Sequence, residues 1–267
     1  MSCADTAALA RGSGDDVQVH LFSLRRLAAL LPPADILLAR LDAGERAAFE
    51  RIRSPQRRAE VLHGRVMLRR LLASRGGIDE HAVVLVRDAG AKPRACAADG
   101  AWLPSFNVSH AGDCLAIALA RAGEIGVDVE PAGRCGAPGI DAEAIAQRHF
   151  APAERSLIAA APPGERPALF LRLWTLKEAV LKAAGTGLCH PLDGIDMSAP
   201  GARQAARVAR DGQVVEVEAA YLSLAEPAVH LAVARACRLG KVTVVRDERP
   251  AGAGGAWAAA AAAAAAA

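Results

Sequence analysis

The sequence predicts an α+β fold built as a pseudo-two-fold pair of similar halves, with the active site in the cleft between them. Three observations predict it. Runs of helical periodicity with charged edges are followed by apolar strand-like runs, and this order occurs twice along the 267 residues. A Gly/Pro-rich stretch at 131–140 stands between the two occurrences. The length suits one large domain or two of about 120 residues. The expected boundaries are a disordered N-terminus at 1–16, an N-terminal half at 17–122, a C-terminal half at 123–245 and a Gly/Ala low-complexity tail at 246–267.

The elements follow in order. Apolar alternation at 17–24 reads as a first strand. Asp42 and Glu45 have the spacing of a capping box and open an arginine-rich helix, which Pro55 interrupts. A longer helix covers 56–74, and Gly76-Gly77 ends it. Residues 83–87 form a strand, and Gly90 and Pro93 turn the chain. Asn107-Val108-Ser109-His110 leads into a nearly continuous apolar strand at 114–121. After a turn at Gly123, residues 125–130 read as the hairpin partner of that strand. In the second half, helices are expected at 141–150, from Pro152 onward, and at 169–184 up to Gly185-Thr186-Gly187. Strands are expected near 214–222 and 229–236.

Composition narrows the function. With 52% hydrophobic and only 3% aromatic residues, the core must be mostly Leu, Val, Ile and Ala. A net charge of +3 is too small to imply nucleic acid. Nine arginines lie between Arg46 and Arg75 against Glu50 and Glu60, as either a solvated face or the surroundings of an anionic ligand. Lysine is rare: Lys92, Lys177, Lys182 and Lys241 stand against 28 arginines, which draws notice to the positions that keep a compact ammonium. The six cysteines contain no Cys-x-x-Cys pair, so neither a zinc site nor a redox pair is indicated. A reduced, cytoplasmic protein is expected. There is no secretory apolar region near the start and no run of eighteen apolar residues before the tail, so no membrane association is expected.

The chemistry concentrates in two segments. Gly126-Val127-Asp128-Val129-Glu130 sets two carboxylates on alternate residues of an apolar strand. They share one face, roughly 7 Å apart at Cα, and can converge on a hard cation such as Mg²⁺. The plain alternative is the polar face of an exposed strand. On the later helix, Thr175, Glu178 and Lys182 form one polar stripe on an otherwise apolar cylinder. Glu178 and Lys182 are either a surface i,i+4 pair or a third carboxylate ligand beside a phosphate-binding ammonium. Ser109 and His110 are neighbours on a strand end and point opposite ways, which argues against a nucleophile–base pair. Both suit donation to phosphate oxygens. Arg87 and Lys92 flank a turn that is either solvated or clamps a nucleotide.

In order and spacing these segments resemble the surfactin-type 4′-phosphopantetheinyl transferases. Phe106-Asn107-Val108-Ser109-His110 is similar to that family's FNxSH segment, and Ile125 to Glu130 to its (I/V)GxDxE segment. Phe150 and Glu154 fit its F…E spacer. Trp174-Thr175-Leu176-Lys177-Glu178 with Lys182 resembles its WxxKExxxK helix, continued by Gly187-Leu188 and Pro191-Leu192. Weaker similarity begins at Glu45-Arg46 and includes Gly64-Arg65 and Arg69.

The resemblance implies a two-halved fold that binds coenzyme A and Mg²⁺ in its cleft and moves the phosphopantetheine arm to a serine of an acyl or peptidyl carrier protein. Asp128, Glu130 and Glu178 would hold the metal, and Lys182 the pyrophosphate. Arg87, Lys92, Ser109 and His110 would bind coenzyme A, with Arg46 at its 3′-phosphate. Glu178 would also serve as general base, directly or through a metal-bound water. Two departures stand out: Ala91-Lys92-Pro93 replaces the usual Gly-Lys-Pro, and Glu60 stands where many bacterial members carry an arginine, leaving Arg57 or Arg58 as its substitute. Duplication of the fold implies a monomer. The alternatives are another Mg²⁺-dependent phosphotransferase or pyrophosphohydrolase, and an inactive relative that only binds carrier protein or coenzyme A.

Overall fold

The computed structural model describes residues 16–87, 91–137, 139–186 and 190–246. The expected disordered N-terminus up to residue 15, the tail beyond 246, Gly90 and Gly187-Leu188 lie outside the described residues. Ten strands and seven α-helices are described. β1 is Val17–Ser23, β2 Val83–Val86, β3 Arg94–Ala97, β4 Ser105–Ala111, β5 Cys114–Ala120, β6 Ile125–Pro131, β7 Arg203–Arg210, β8 Gln213–Ala225, β9 Ala228–Ala236 and β10 Val242–Arg246. The helices are α1 Leu24–Leu30, α2 Ala34–Leu38, α3 Ala43–Glu50, α4 Pro55–Gly76, α5 Ala142–His149, α6 Pro152–Ala160 and α7 Arg166–Ala184.

Two four-stranded sheets, ordered β10-β1-β5-β4 and β6-β9-β8-β7, pack face to face. Strand alternation explains the layers. Val17, Val19 and Leu21 of β1 and Ala116 and Ala118 of β5 meet Val127 and Val129 of β6 and Leu231 and Val233 of β9 in an inter-sheet core. The opposite face of β5, with Leu115, Ile117 and Leu119, takes Leu62, Val66, Leu68 and Leu72 of α4. The opposite face of the second sheet, with Val217, Ala232 and Ala234, takes Leu173, Leu176, Val180 and Leu181 of α7. The result is a helix–sheet–sheet–helix stack, the predicted α+β pair of halves. All seven residues of β5 are buried, as a strand covered on both faces requires.

Local signals account for the helix ends. Asp42 and Glu45 form the expected capping box on α3. Ser54 caps α4 with Pro55 in its first turn, and Gly77 closes it in the left-handed region at φ 64°. Glu45 also links α3 to α4 through Arg69 at 2.6 Å and Arg65 at 3.3 Å.

One expectation is corrected. β6 is not the hairpin partner of β5. The edges of β5 are occupied by β1 and β4, and β6 pairs antiparallel with β9 in the other sheet. The turn at Gly123 is real, at φ 80°, but it carries the chain from one sheet to the other. β10 returns from the C-terminal side to run parallel to β1. Among the described residues no helix is long and apolar enough to cross a membrane.

Candidate active site

The site lies where the edge strands β4 and β6 of the two sheets run beside each other. The Asn107 side-chain carbonyl on β4 accepts the backbone N–H of Val127 on β6 at 2.9 Å, stitching the two edges together. On β6, Val127 and Val129 point into the inter-sheet core, so Gly126, Asp128 and Glu130 point toward α7. Gly126 sets the depth of that contact. A Cβ there would fall 2.0 Å from the carbonyl oxygen of Ala179 and 2.6 Å from the nitrogen of Ala183. The bare backbone lets α7 lie directly on the strand, and this brings Lys182 to Asp128.

Lys182 uses all three of its N–H donors. Nζ is 2.6 Å from Asp128 Oδ1, 3.2 Å from the Val127 carbonyl and 3.3 Å from Ser109 Oγ. Ser109 in turn donates to Asp128 Oδ1 at 2.9 Å. Glu130 is paired through Oε1 with Arg134, four residues on, in the short 3₁₀ turn Arg134–Gly136. Asp128, Glu130 and Glu178 are 5%, 4% and 9% exposed. Each keeps one buried oxygen with no hydrogen-bond partner: Asp128 Oδ2, Glu130 Oε2 and Glu178 Oε1. Buried carboxylate oxygens are costly to leave unpaired, so each of these favours a nearby cation. Burial raises the proton affinity of Glu178, and neighbouring Asp128 adds to this, against the opposing pull of Lys182 and Arg134.

This donor set suits Mg²⁺, which takes carboxylate oxygens and leaves positions for water and phosphate. Among the described residues no three His, Cys, Asp or Glu side chains are drawn close enough to form a finished metal site. The three carboxylates would therefore have to close on an ion.

Ser109 and His110 point to opposite sides of β4, as their adjacency requires. His110 opens onto a cleft of about 330 Å³, lined among others by Arg57, Glu60, Gly64, Arg65 and Arg87. Arg57 Nη1 lies 3.2 Å from His110 Nδ1 and 3.3 Å from Glu60 Oε2. A guanidinium can only donate, so Nδ1 accepts and Nε2 carries the ring proton. Burial, then Arg57, lowers the His110 pKa and keeps the imidazole neutral. Of the two candidate substitutes at Glu60, Arg57 faces the cleft. Arg58 is turned away onto the carbonyls of Ile52 and Glu50. Arg87 is an exposed residue at the cleft wall.

Two predicted binding residues sit apart. Lys92 donates to the Ile125 carbonyl and pairs with Glu124 at 3.1 Å, and burial lowers its pKa. Arg46 is exposed and donates to the Leu41 carbonyl at 2.6 Å. Thr175, placed on the polar stripe by its spacing, is fully buried and bonds back to the Leu171 carbonyl. Arg134 was missed. Its signal was its position four residues beyond Glu130, hidden inside an apparent linker. A second cleft, about 490 Å³, lies at the ends of β1, β6 and β10. Its Asp113 is committed to Ser23 and Arg25 at the start of α1.

Residues 124–234 match the model of the 4′-phosphopantetheinyl transferase superfamily. Residues 34–122 match that of the 4′-phosphopantetheinyl transferase N-terminal domain. The chain is 32% identical over 152 residues to the 4′-phosphopantetheinyl transferase HetI of Nostoc sp., covering 57% of this chain and 62% of that one. It is 33% identical over 164 residues to AcpT of Salmonella typhimurium, covering 61% and 78%. To the 4′-phosphopantetheinyl transferase of Bacillus subtilis it is 31% identical over 166 residues, covering 61% and 68%. The match to the Nostoc protein thus spans less than two thirds of that relative's length. Two consecutive family matches and a relative covered over more than three quarters of its length lead to one conclusion: the chain belongs to the 4′-phosphopantetheinyl transferase superfamily.

Proposed function

We propose that this chain is a two-halved, surfactin-type enzyme that transfers the 4′-phosphopantetheine arm of coenzyme A to a serine of an apo acyl or peptidyl carrier protein. One observation carries the reading. Three buried carboxylates each keep an unpartnered oxygen, one of them paired with Lys182 through its other oxygen, beside an arginine-lined cleft. The cleft supplies Arg57, Arg65, Arg87 and the Nε2–H of His110 to phosphate groups, and the carboxylates supply a site for Mg²⁺. Both halves contribute within one chain, which supports a monomer. The described cysteines Cys96, Cys114, Cys135 and Cys237 are free, in keeping with a reducing compartment such as the cytoplasm.

In the reaction the carrier serine oxygen bonds to the β-phosphorus of coenzyme A. The bond from that phosphorus to the bridging oxygen breaks, and adenosine 3′,5′-bisphosphate leaves. Mg²⁺ bound at the carboxylates would neutralise pyrophosphate charge. Lys182 exchanges its longer contacts, to Val127 and Ser109, for pyrophosphate oxygens and stabilises charge on the leaving group. Glu178 takes the serine proton with the carboxylate oxygen that does not face the metal. In this reading catalysis is chiefly positioning and charge stabilisation.

The test is intact-mass analysis of several apo carrier proteins incubated with coenzyme A, Mg²⁺ and this protein. The expected result is a gain of one phosphopantetheine on the carrier serine. Hydrolysis of coenzyme A with no carrier modification would assign a pyrophosphohydrolase instead, and tight binding of coenzyme A without turnover an inactive relative.

A further inference from the structure

The three carboxylates are bracketed by two cations of different character. Lys182 comes from α7 and is held by three partners from two strands. Arg134 comes from a short turn at the end of β6, and its side chain is 35% exposed against 5% for Glu130. Its charge reaches Glu178 as well as Glu130. Arg134 also has a second seat. Its guanidinium lies 5.8 Å from the ring centroid of Trp174 on α7. That ring stacks on Phe170 at 6.0 Å, which stacks in turn on Phe150 at 5.2 Å. A guanidinium over an indole face keeps a favourable contact when it gives up a carboxylate. Glu130, in contrast, has one oxygen on Arg134 and one with no partner.

We propose that Arg134 is a built-in counter-ion that competes with the divalent metal for Glu130 and withdraws onto the Trp174 ring when the metal binds. The inference rests on the metal reading of Asp128, Glu130 and Glu178 given above. Arg134 is a positioning residue. Without a counter-ion, three buried carboxylates repel one another and the site would spread. With Arg134 on Glu130, the carboxylates are held together. The same guanidinium repels an arriving dication, so the metal binds more weakly than the bare carboxylates would allow. Arg134 is tied to the site by one carboxylate oxygen from a short turn, whereas Lys182 is held on a long helix by three partners, so Arg134 is the cation with the freedom to leave.

The experiment is calorimetric titration of Mn²⁺ into the full chain without coenzyme A, for wild type, Arg134→Ala, Arg134→Lys and Asp128→Ala. Removing the competing charge in Arg134→Ala should tighten Mn²⁺ binding about tenfold, the equivalent of one charge-assisted contact. Arg134→Lys keeps the charge and should stay within about threefold of wild type. Melting in EDTA should show Arg134→Ala less stable than wild type, and saturating Mn²⁺ should reverse that order. A purely structural arginine would lower stability without tightening the metal. Mn²⁺ binding in Arg134→Ala that is unchanged or weaker, with Asp128→Ala having lost it, overturns the counter-ion while leaving the metal site standing. Equal tightening by Arg134→Lys also overturns it. Undiminished binding in Asp128→Ala removes the metal site and the counter-ion together.

Discussion

Two lysines five residues apart on α7 each meet carboxylates, and the two clusters are built differently. Lys177 and Glu154 are wholly buried. Lys177 Nζ donates to Glu154 Oε1 at 2.7 Å, to Oε2 at 2.5 Å and to the Ile195 carbonyl. Glu154 also accepts the backbone N–H groups of Ala151 and Met197, each at 2.8 Å. Every lysine donor and both carboxylate oxygens are satisfied, within a shell of Phe150 and α6. The cluster at Lys182 has three carboxylates and leaves an oxygen of each unpaired. Similar residue types on one helix thus make a closed pair that joins α6 to α7 and an open group whose carboxylates keep unpaired oxygens. Complete satisfaction marks structure, and organised incompleteness marks chemistry.

The largest expected effect separates the clusters by activity. Asp128→Asn should lower carrier modification by roughly a thousandfold, because it would remove the proposed metal ligand and the observed partner of Lys182 together. Its melting temperature should fall by only a few degrees. The measurement is initial rate by intact mass beside a thermal melt. Near-normal turnover would take Asp128 out of the site and undo the contrast.

The closed pair should respond in the opposite currency, stability. Glu154→Gln leaves the Lys177 ammonium buried with an amide, and the new NH₂ group faces backbone donors that the carboxylate accepted. We expect a loss of about 3–5 kcal/mol in urea unfolding, the usual result of breaking a buried pair from one side. Protein that remains folded should transfer at a normal rate. A variant that unfolds like wild type but fails in catalysis would place Glu154 in the chemistry. Between the clusters, Gly126→Ala tests what holds α7 to β6. Its methyl would meet helix backbone that cannot turn aside, and about 1–3 kcal/mol of stability should be lost through overpacking. Activity should fall with it, since Lys182 can no longer approach Asp128. Unaltered stability would show that α7 is not seated by that contact.

Residues whose roles are local were legible. The Asp42–Glu45 box, Gly77 and Gly185 define helix ends within a few residues of sequence. The Asp128/Glu130 alternation and the Glu178/Lys182 spacing set faces that follow from helix and strand periods alone. Long-range pairing was not legible. A turn at Gly123 between two apolar strands has the local form of a hairpin, yet the partner of β6 is a strand about a hundred residues later. β7 was missed because its buried face is Gln204, Ala206 and Val208 among arginines, with little β-branched character. β10 is short and only half buried. Arg134 was hidden for a similar reason, since its meaning lies in a carboxylate and an indole that only the fold brings to it.

The finest distinction is the same substitution made in the open cluster. Glu178→Gln replaces a buried carboxylate, one oxygen of which has no partner, by a neutral amide. It should stabilise the protein by about 1 kcal/mol at neutral pH in EDTA, where Glu154→Gln destabilises. The pH dependence fixes the cause. Burial raises the folded-state pKa of Glu178 above its ordinary value of 4.5, so between the two the folded state binds the proton that the unfolded chain has lost. The stability contributed by protonated Glu178 is complete below 4.5 and disappears as pH rises through the raised folded value. The advantage of Glu178→Gln should therefore be greatest at neutral pH and shrink on acidification toward 4.5, as wild type takes up its proton. A gap between the two melting curves that stays constant across this range would trace the gain to packing and not to charge. A loss of stability at neutral pH would mean that Glu178, like Glu154, is held by partners, and the division between the two clusters would fail at its most sensitive point.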